Sequence, residues 1–201
     1  MAYDRHIVGT ARVATDPVLS SARELALDVG FRRTTIAEVA RRAGVSRMTV
    51  YRQYEDLQAI WSALLTAELA EVLRDAEGGV DDDRSARQRL ADEAVQVATR
   101  IGQHPLLRRA LDLDPELLLP LVVDRLGSTQ RAGLARAQAL VGQGHRDGSV
   151  RADADPATAA FMLLLLVQSM VFSTRVVEER PDADAVRGDE LRSLVERYLQ
   201  P

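Results

Sequence analysis

Residues 35–54 have the sequence TIAEVARRAGVSRMTVYRQY, and this segment decides the predicted fold of the first part of the chain. Thr35 and Glu38 have the spacing of a capping box, which is typical of the first turn of a helix. Gly44 is expected to end that helix, because glycine enters the left-handed conformation at little cost. Ser46 is expected to cap a second short helix. The segment therefore predicts a helix, a three-residue turn and a second helix.

The residues between these signals predict how the two helices pack and what they expose. Ala40 supplies the small side chain needed where the helices touch, and Val45 fills the corner beside Gly44. Arginine can bind guanine, methionine and threonine methyl groups can contact a thymine methyl, and hydroxyls suit phosphates. The spacing alone leaves two interpretations open, a DNA-binding helix-turn-helix or an ordinary corner between two helices of a bundle. The exposed face of the second helix would consist of Ser46, Arg47, Met48, Thr49, Tyr51, Arg52 and Gln53.

The distribution of charge favours the DNA-binding interpretation. The formal net charge is −4, and lysine is absent, so that all 26 residues counted as Lys or Arg are arginines. From residue 61 onward, 17 arginines stand against 23 acids. A basic segment joined to an acidic body is typical of a DNA-binding domain attached to a domain with another role. Residues 29–54, in contrast, contain one acid, Glu38, and six arginines: Arg32, Arg33, Arg41, Arg42, Arg47 and Arg52.

Residues 18–61 resemble the N-terminal domain of TetR-family transcriptional regulators. The resemblance rests on the paired threonines Thr34 and Thr35, on AGVS at 43–46 and on TVYRQY at 49–54. It implies that Thr35 and Tyr51 contact phosphates, and that Ala43, Gly44 and Tyr54 are structural. The side chains that it implies to face bases are Arg47, Met48, Thr49 and Arg52.

Two departures from the family pattern predict fewer contacts with the DNA backbone. The family often has a lysine just inside the fourth helix, where this chain has Leu57, and a basic residue where it has Ala37. Arginines elsewhere would offset these losses: Arg32 or Arg33, or Arg5 and Arg12 of an N-terminal arm. Residues 1–15 lack any periodicity and are expected to form this flexible arm, for which plain disorder without DNA contact is the alternative.

The rest of the chain predicts an all-α protein of about nine helices, with helix-turn-helix and body as two domains. Asp16-Pro17, Asp114-Pro115 and Asp155-Pro156 are helix starts, each with an aspartate cap and a proline at the first helical position. The DNA-binding domain is expected over residues 16–56, and a helical regulatory and dimerisation domain over 57–201. The turn-rich stretch 142–155 is expected to contain nothing longer than a turn. Other helices are expected near 57–76, 84–102 and 106–112, and over 156–178 and 184–199. A further helix is expected after a kink or restart at Pro120 and Gly127, and it should end at about residue 143.

Composition excludes several classes of site. The chain has no cysteine, so it offers no disulfide, no thiolate zinc site and no cysteine nucleophile. Its three histidines are scattered, and no acid pair or nucleophile–base pair has an interpretable spacing, so neither an enzyme nor a bound metal or cofactor is expected. No signal-peptide pattern is found, and polar residues interrupt the most apolar run too often for a membrane span, so a cytoplasmic protein is expected.

The last two long helices carry more apolar surface than one core needs, which favours a dimer. A single recognition helix contacts only a few base pairs, and a two-fold dimer doubles the site. The resemblance implies a four-helix bundle formed by the last two helices of both subunits, while an ordinary core pair is the alternative. The predicted interface consists of Leu163, Leu166, Met170, Leu191, Leu194, Val195 and Tyr198.

The sequence also predicts a small-molecule pocket. TetR-like proteins generally release DNA when a ligand enters the C-terminal domain, and few aromatic residues favour a mainly aliphatic cavity. Gln168 and Ser169 interrupt an apolar helix, and their polar groups need partners in a ligand or across the dimer interface. The predicted lining is Trp61, Leu65, Thr99, Leu118, Val122, Gln168 and Phe172.

These features together predict a dimeric repressor that binds a palindromic operator and is released by a small apolar effector. Two alternatives stay open: a DNA-binding protein of the same fold without an effector, and a helical enzyme acting on a small molecule.

Overall fold

The computed structural model describes residues 16–79, 83–118 and 126–201. Most of these residues are helical and none lies in a β-strand, which confirms the all-α prediction. No helix among them is long and apolar enough to cross a membrane. The predicted arm at residues 1–15 and the predicted pocket residue Val122 lie outside the described residues.

Within each described range, short connections join helices that follow one another along the chain. Short 3₁₀ turns lie at Phe31–Arg33 and Pro115–Leu117, and a π-helical turn at Val186–Glu190 joins the last two helices. The α-helices are α1 (Pro17–Asp28), α2 (Ile36–Arg42), α3 (Arg47–Gln53), α4 (Leu57–Gly78), α5 (Ala86–Gln103), α6 (Pro105–Leu113), α7 (Ser128–Asp147), α8 (Pro156–Phe172), α9 (Thr174–Glu178), α10 (Ala183–Ala185) and α11 (Leu191–Leu199).

Most of the helix starts lie where the capping residues predict them. Asp16 Oδ1 accepts a hydrogen bond from the backbone N–H of Val18 at 2.9 Å, and Asp155 Oδ1 accepts one from Thr158 at 2.9 Å. Asp56, before α4, accepts from the N–H of Ala59 at 2.7 Å. Each carboxylate satisfies an amide that has no partner within its helix, which explains why short polar residues mark these boundaries.

The chain divides into two compact units, and the division falls within α4, between Glu71 and Val72. This division concerns compactness, whereas the boundary expected at residue 56 separates DNA binding from regulation, and that boundary stays a prediction. The first unit contains the described residues 16–71, 104–118 and 126–128. In it α1 packs against α2 and α6, and α2 packs against α3. Its core contains Leu25, Phe31, Val39, Val50, Ile60, Trp61, Leu64, Leu65, Leu106 and Leu107.

The second unit contains residues 72–79, 83–103 and 129–201. Helix α5 lies at its centre and packs against both α8 and α11. Its apolar core consists of Leu90, Ala91, Ala94, Ala98, Leu140, Val141, Val150, Ala154, Ala159, Leu163, Leu191, Val195 and Leu199.

The prediction for residues 142–155 was partly wrong, because α7 continues to Asp147. Gly144 lies inside the helix, and a Cβ atom there would come within 2.2 Å of Val150 Cγ2. This glycine therefore permits a close approach of the returning chain and does not mark a turn. The helix ends just before Gly148, which has φ +72°.

Two other boundaries also differ from the prediction. The helix expected over 156–178 is interrupted at Ser173, where Thr174 Oγ1 donates to the carbonyl of Val171 at 2.7 Å and competes with the helical pattern. Asp114 does not cap a helix with its side chain, and the 3₁₀ turn Pro115–Leu117 follows it. Its buried carboxylate accepts a hydrogen bond from Arg32 instead.

Candidate nucleic-acid interface

The start of α2 presents a hydroxyl at the surface. Thr35 caps the helix, and its Oγ1 accepts from the backbone N–H of Glu38 at 3.2 Å. The hydroxyl hydrogen of Thr35 is thus available to an external acceptor such as a phosphate. Thr34 is buried, and its hydroxyl donates to the carbonyl of Gly30 at 2.9 Å. Of the paired threonines, only Thr35 lies at the surface.

A Schellman motif forms the turn between α2 and α3. The N–H of Val45 donates to the carbonyl of Ala40 at 3.0 Å, and the N–H of Gly44 donates to that of Arg41 at 3.3 Å. Gly44 has φ +68°, and nothing lies within 4 Å of the place where a Cβ atom would stand. The requirement for glycine is therefore conformational and not a matter of space. Ala40 is buried between the helices, as its small side chain predicts.

Helix α3 is anchored on one side and bare on the other. Ser46 Oγ accepts from the N–H of Thr49 at 3.1 Å and lies 2.9 Å from Thr49 Oγ1, while Val50 is fully buried. Met48 is 74% exposed and Tyr51 is 50% exposed. Arginine, methionine, tyrosine and arginine thus stand together on one face, with groups that suit base edges and phosphates. The side chains of this face are Arg47, Met48, Tyr51 and Arg52.

Ion pairs reduce the number of arginines that are available to DNA. Arg42 pairs with Asp28 at 2.7 Å, and Arg41 pairs with Glu38 at 2.5 Å. The hydrogen bond between Arg41 and Glu38 raises the pKa of the guanidinium and lowers that of the carboxyl. Arg32 is paired as well, and three arginines of residues 29–54 have no acidic partner among the described residues: Arg33, Arg47 and Arg52.

Arg32 is held by two acids that follow α6. Its Nε donates to Asp114, and its Nη2 lies 2.7 Å from Glu116 Oε1. Hydrogen bonds to both acids, to Asp114 first, raise the pKa of the Arg32 guanidinium. The charge of Arg32 is therefore compensated within the protein, and the adjacent Arg33 is the arginine of this turn that stands free of acids in the described part of the chain.

Asp16 connects the start of α1 with the end of α3. Its Oδ2 accepts from the hydroxyl of Tyr54 at 2.8 Å and from Gln53 Nε2 at 2.5 Å. The hydroxyl of Tyr54 is thus engaged within the protein. Asp16 also engages Gln53, which the sequence placed on the exposed face.

A buried carboxylate in the first unit was missed by the sequence-based predictions. Glu68 on α4 is 2% exposed and accepts from Arg23 Nε at 2.8 Å and from His104 Nε2 at 2.9 Å. Burial opposes ionisation of Glu68, but the hydrogen bond from His104 and the charge of Arg23 outweigh it and hold the pKa below its ordinary value. His104 Nδ1 also accepts from the N–H of Leu107 at 3.4 Å and so caps α6. The sequence did contain a signal for this site, because Glu68 is an acidic residue on the inward face of the apolar helix α4.

The residues predicted to line a pocket are divided between the two units. Trp61, Leu65 and Leu118 are buried in the first unit, where Trp61 meets the ring of Phe31 edge to face at 5.0 Å between centroids. In the second unit Thr99 and Gln168 are partly buried, and Phe172 is exposed.

The predicted dimer residues are divided between core and surface. Leu163, Leu191 and Val195 are buried in the core of the second unit, so they offer no surface to a partner. Leu166, Met170 and Tyr198 are partly buried against that core, and Leu194 is 53% exposed. Helices α8 and α9 expose further apolar side chains, which the sequence did not single out because α8 is apolar all round: Phe161, Met162, Leu165, Phe172 and Val176.

Comparison with known proteins gives matches over part and over nearly all of the chain. Residues 18–64 match the family described as bacterial regulatory proteins, tetR family. An HTH-type transcriptional regulator of Mycobacterium tuberculosis is 35% identical over 182 residues, covering 90% of this chain and 92% of that protein. A TetR-family transcriptional regulator from Pectobacterium atrosepticum has a similar structure, with a TM-score of 0.66 at 20% identity over 94% of each chain. The regulator FadR from Bacillus subtilis, in complex with stearoyl-CoA, gives a TM-score of 0.65 at 16% identity, covering 89% of this chain and 96% of that one.

Proposed function

The chain belongs to the TetR family of transcriptional regulators, and from this premise we propose that it is a repressor that binds a palindromic operator as a homodimer. We further propose that a small, mainly apolar effector releases it from the DNA. Its relatives are named as transcriptional regulators, and a role without catalysis follows from the same premise.

The exposed face of α3 is the single observation that carries the DNA-binding proposal. One side of α3 is anchored by buried Val50, and the other side carries four exposed side chains: Arg47, Met48, Tyr51 and Arg52. Exposing a methionine to this degree has a hydration cost that is recovered when its methyl group contacts a thymine methyl. Arg47 and Arg52 have no acidic partner among the described residues, so their charge is available to guanine or phosphate.

The exposed apolar side chains of α8 and α9 support the homodimer. Phe161, Met162, Leu165 and Phe172 recur at spacings that keep them near one face of α8, and Val176 continues the series on α9. An apolar face of this kind is typical of a protein interface. A second copy of the chain is the occupant that two-fold symmetric DNA requires, because each recognition helix then meets one half-site.

The effector part of the proposal rests on similarity of fold. FadR from Bacillus subtilis holds stearoyl-CoA on the same fold, and the body of this chain is rich in aliphatic side chains. Fatty acids and acyl-CoA thioesters are therefore the first probes for a thermal-shift screen, followed by release of bound DNA. If no compound both stabilises the protein and releases bound DNA, the alternative is favoured, a DNA-binding protein of this fold without an effector.

Selection of bound duplexes from a random library tests the proposed function directly. We expect the selected sequences to contain two inverted half-sites whose centres lie about one helical turn or a multiple of it apart. Light scattering of the free protein should give the mass of a dimer. Selection without any sequence preference, or a selected site without symmetry, would contradict the proposal, as would turnover of a small molecule by the purified protein.

A further inference from the structure

The carboxylate of Asp16 uses its two oxygens for two different tasks. Oδ1 accepts from the backbone N–H groups of Val18 at 2.9 Å and Leu19 at 3.3 Å, and so caps α1. Oδ2 accepts from the Tyr54 hydroxyl at 2.8 Å and from Gln53 Nε2 at 2.5 Å, at the end of α3. Hydrogen bonds to an ionised carboxylate are about twice as strong as those between neutral groups. The recognition helix is thus tied to a residue 37 positions earlier in the sequence.

This tie matters because α3 has few other anchors. The helix has seven residues, and Val50 is the only buried one. Its first turn is fixed by the Ser46 cap and by the Schellman motif that precedes it. The cap, the Schellman motif and Val50 hold the start and the middle of the helix, and the bonds to Asp16 hold its end.

We propose that Asp16 is a positioning residue for operator discrimination, which it sets through Tyr54 and Gln53 without touching DNA. This inference rests on the proposed function. Bidentate contacts to a base edge depend on the angle at which the helix enters the major groove. Binding to DNA of unrelated sequence depends on charge and tolerates variation in that angle. Loss of the tie therefore reduces the ratio of specific to nonspecific affinity. The same tie directs one N–H of the Gln53 amide to Asp16.

The test compares affinities for two duplexes: the palindrome selected by the wild-type protein, and a scrambled duplex of equal length and composition. Asp16→Ser keeps a good helix cap but loses the second carboxylate oxygen. Tyr54→Phe removes only the hydroxyl from the other partner. We expect Asp16→Ser to lower the affinity ratio by about tenfold, and Tyr54→Phe to lower it by a smaller factor. The double variant should resemble Asp16→Ser alone, because both changes remove the same interaction.

Asp56→Ser is the matched control. Asp56 caps α4 by accepting from Ala59, and none of its described contacts reaches α3. The control removes the same charge from the same compact unit and makes the same Asp-to-Ser exchange at a helix cap. Both Asp-to-Ser variants should therefore raise nonspecific affinity alike, and only Asp16→Ser should lower the ratio. Thermal unfolding of each variant keeps loss of fold apart from loss of discrimination.

The outcomes separate this inference from the proposed function. A wild-type ratio close to one would overturn the proposed function and this inference with it. A high wild-type ratio that is unchanged in both Asp16→Ser and Tyr54→Phe would overturn the inference alone. The inference is also overturned if Asp56→Ser lowers the ratio as much as Asp16→Ser does. If Asp16→Ser does not fold, Tyr54→Phe with unchanged discrimination is sufficient to overturn it.

Discussion

Arg32 and Arg33 are adjacent in one 3₁₀ turn, yet we expect only Arg33 to contact the DNA backbone. Arg32 is compensated by Asp114 and Glu116, while Arg33 has no acidic partner among the described residues. Arg33 lies two residues before Thr35, the cap of α2, where a phosphate contact is predicted. The substitutions Arg32→Ala and Arg33→Ala remove the same charge one residue apart, so their comparison isolates the effect of the ion pairs.

The expected magnitude follows from counterion release. Each phosphate contact contributes about −0.9 to the slope of log K against log salt concentration. A dimer carries two copies of Arg33, so Arg33→Ala should make the slope shallower by about 1.8. Between about 50 and 200 mM salt, the affinity advantage of the wild type over Arg33→Ala should then shrink by about tenfold. Arg32→Ala should leave the slope nearly unchanged, because its charge is already balanced within the protein.

Fluorescence anisotropy with the selected palindrome, measured at several salt concentrations, provides the slopes. Thermal unfolding supplies the complementary measurement. Arg32→Ala should lower the melting temperature, since it leaves the buried carboxylate of Asp114 without its partner, and Arg33→Ala should not. Arg33→Lys is the conservative control: a lysine at a phosphate releases the same counterion, so the slope should be retained.

Equal changes of slope in the two alanine variants would refute the reasoning, because the ion pairs of Arg32 would then not shield it from DNA. A shallower slope in Arg32→Ala alone would show that DNA draws Arg32 away from Asp114 and Glu116. Loss of the slope in Arg33→Lys would point to a role of the guanidinium beyond its charge.

Three further predictions concern different parts of the molecule. Arg47→Ala should cost about 1–3 kcal/mol of binding free energy and relax the preference at one base position, whereas Tyr51→Phe should weaken all sequences alike; a gel shift with single-base variants of the selected site distinguishes these outcomes from no effect. Leu165→Glu should weaken the dimer by at least about 2 kcal/mol, or roughly thirtyfold in the dissociation constant measured by sedimentation. The control Ala139→Glu, on an exposed face of α7, should not weaken it. Unchanged dimerisation of Leu165→Glu would exclude this face of α8 from the interface. The pKa of Glu68 in the folded protein lies below its ordinary value, so the ionised carboxylate stabilises the fold above about pH 4.5. This stabilisation is lost as the pH falls through the folded pKa. Glu68→Gln should therefore make the melting temperature fall less steeply with acid, and an equally steep fall would contradict this assignment.

Local signals account for the parts of the fold that were predicted correctly. The aspartates before Pro17 and Pro156, and Ser46 before α3, form hydrogen bonds with amides two or three residues away. Gly44 likewise acts through its own backbone angle. Such features depend on the nearest residues, so they can be recognised in a sequence without knowledge of the fold.

Features that depend on distant residues were missed or misassigned. The pattern around Gly144 predicts a turn, but this glycine permits contact with Val150, which the chain reaches only after reversing direction. The pattern at Asp114 predicts a cap, but its carboxylate pairs with Arg32, 82 positions earlier. Core and interface residues of a helix are both apolar and share the same helical spacing, so the sequence does not distinguish them. Packing around α5 places three predicted interface residues in the core: Leu163, Leu191 and Val195.

The sequence by itself determined the family, the all-α class and the face of α3 that carries Arg47, Met48, Tyr51 and Arg52, because helical periodicity and capping are local properties. Only the tertiary structure decided which polar side chains near that face remain available to DNA. Asp114 engages Arg32 and Asp16 engages Gln53, although each acid is far from its partner along the chain. The physical reason is that an ion pair or hydrogen bond depends on distance in space, and distance along the sequence does not reveal it.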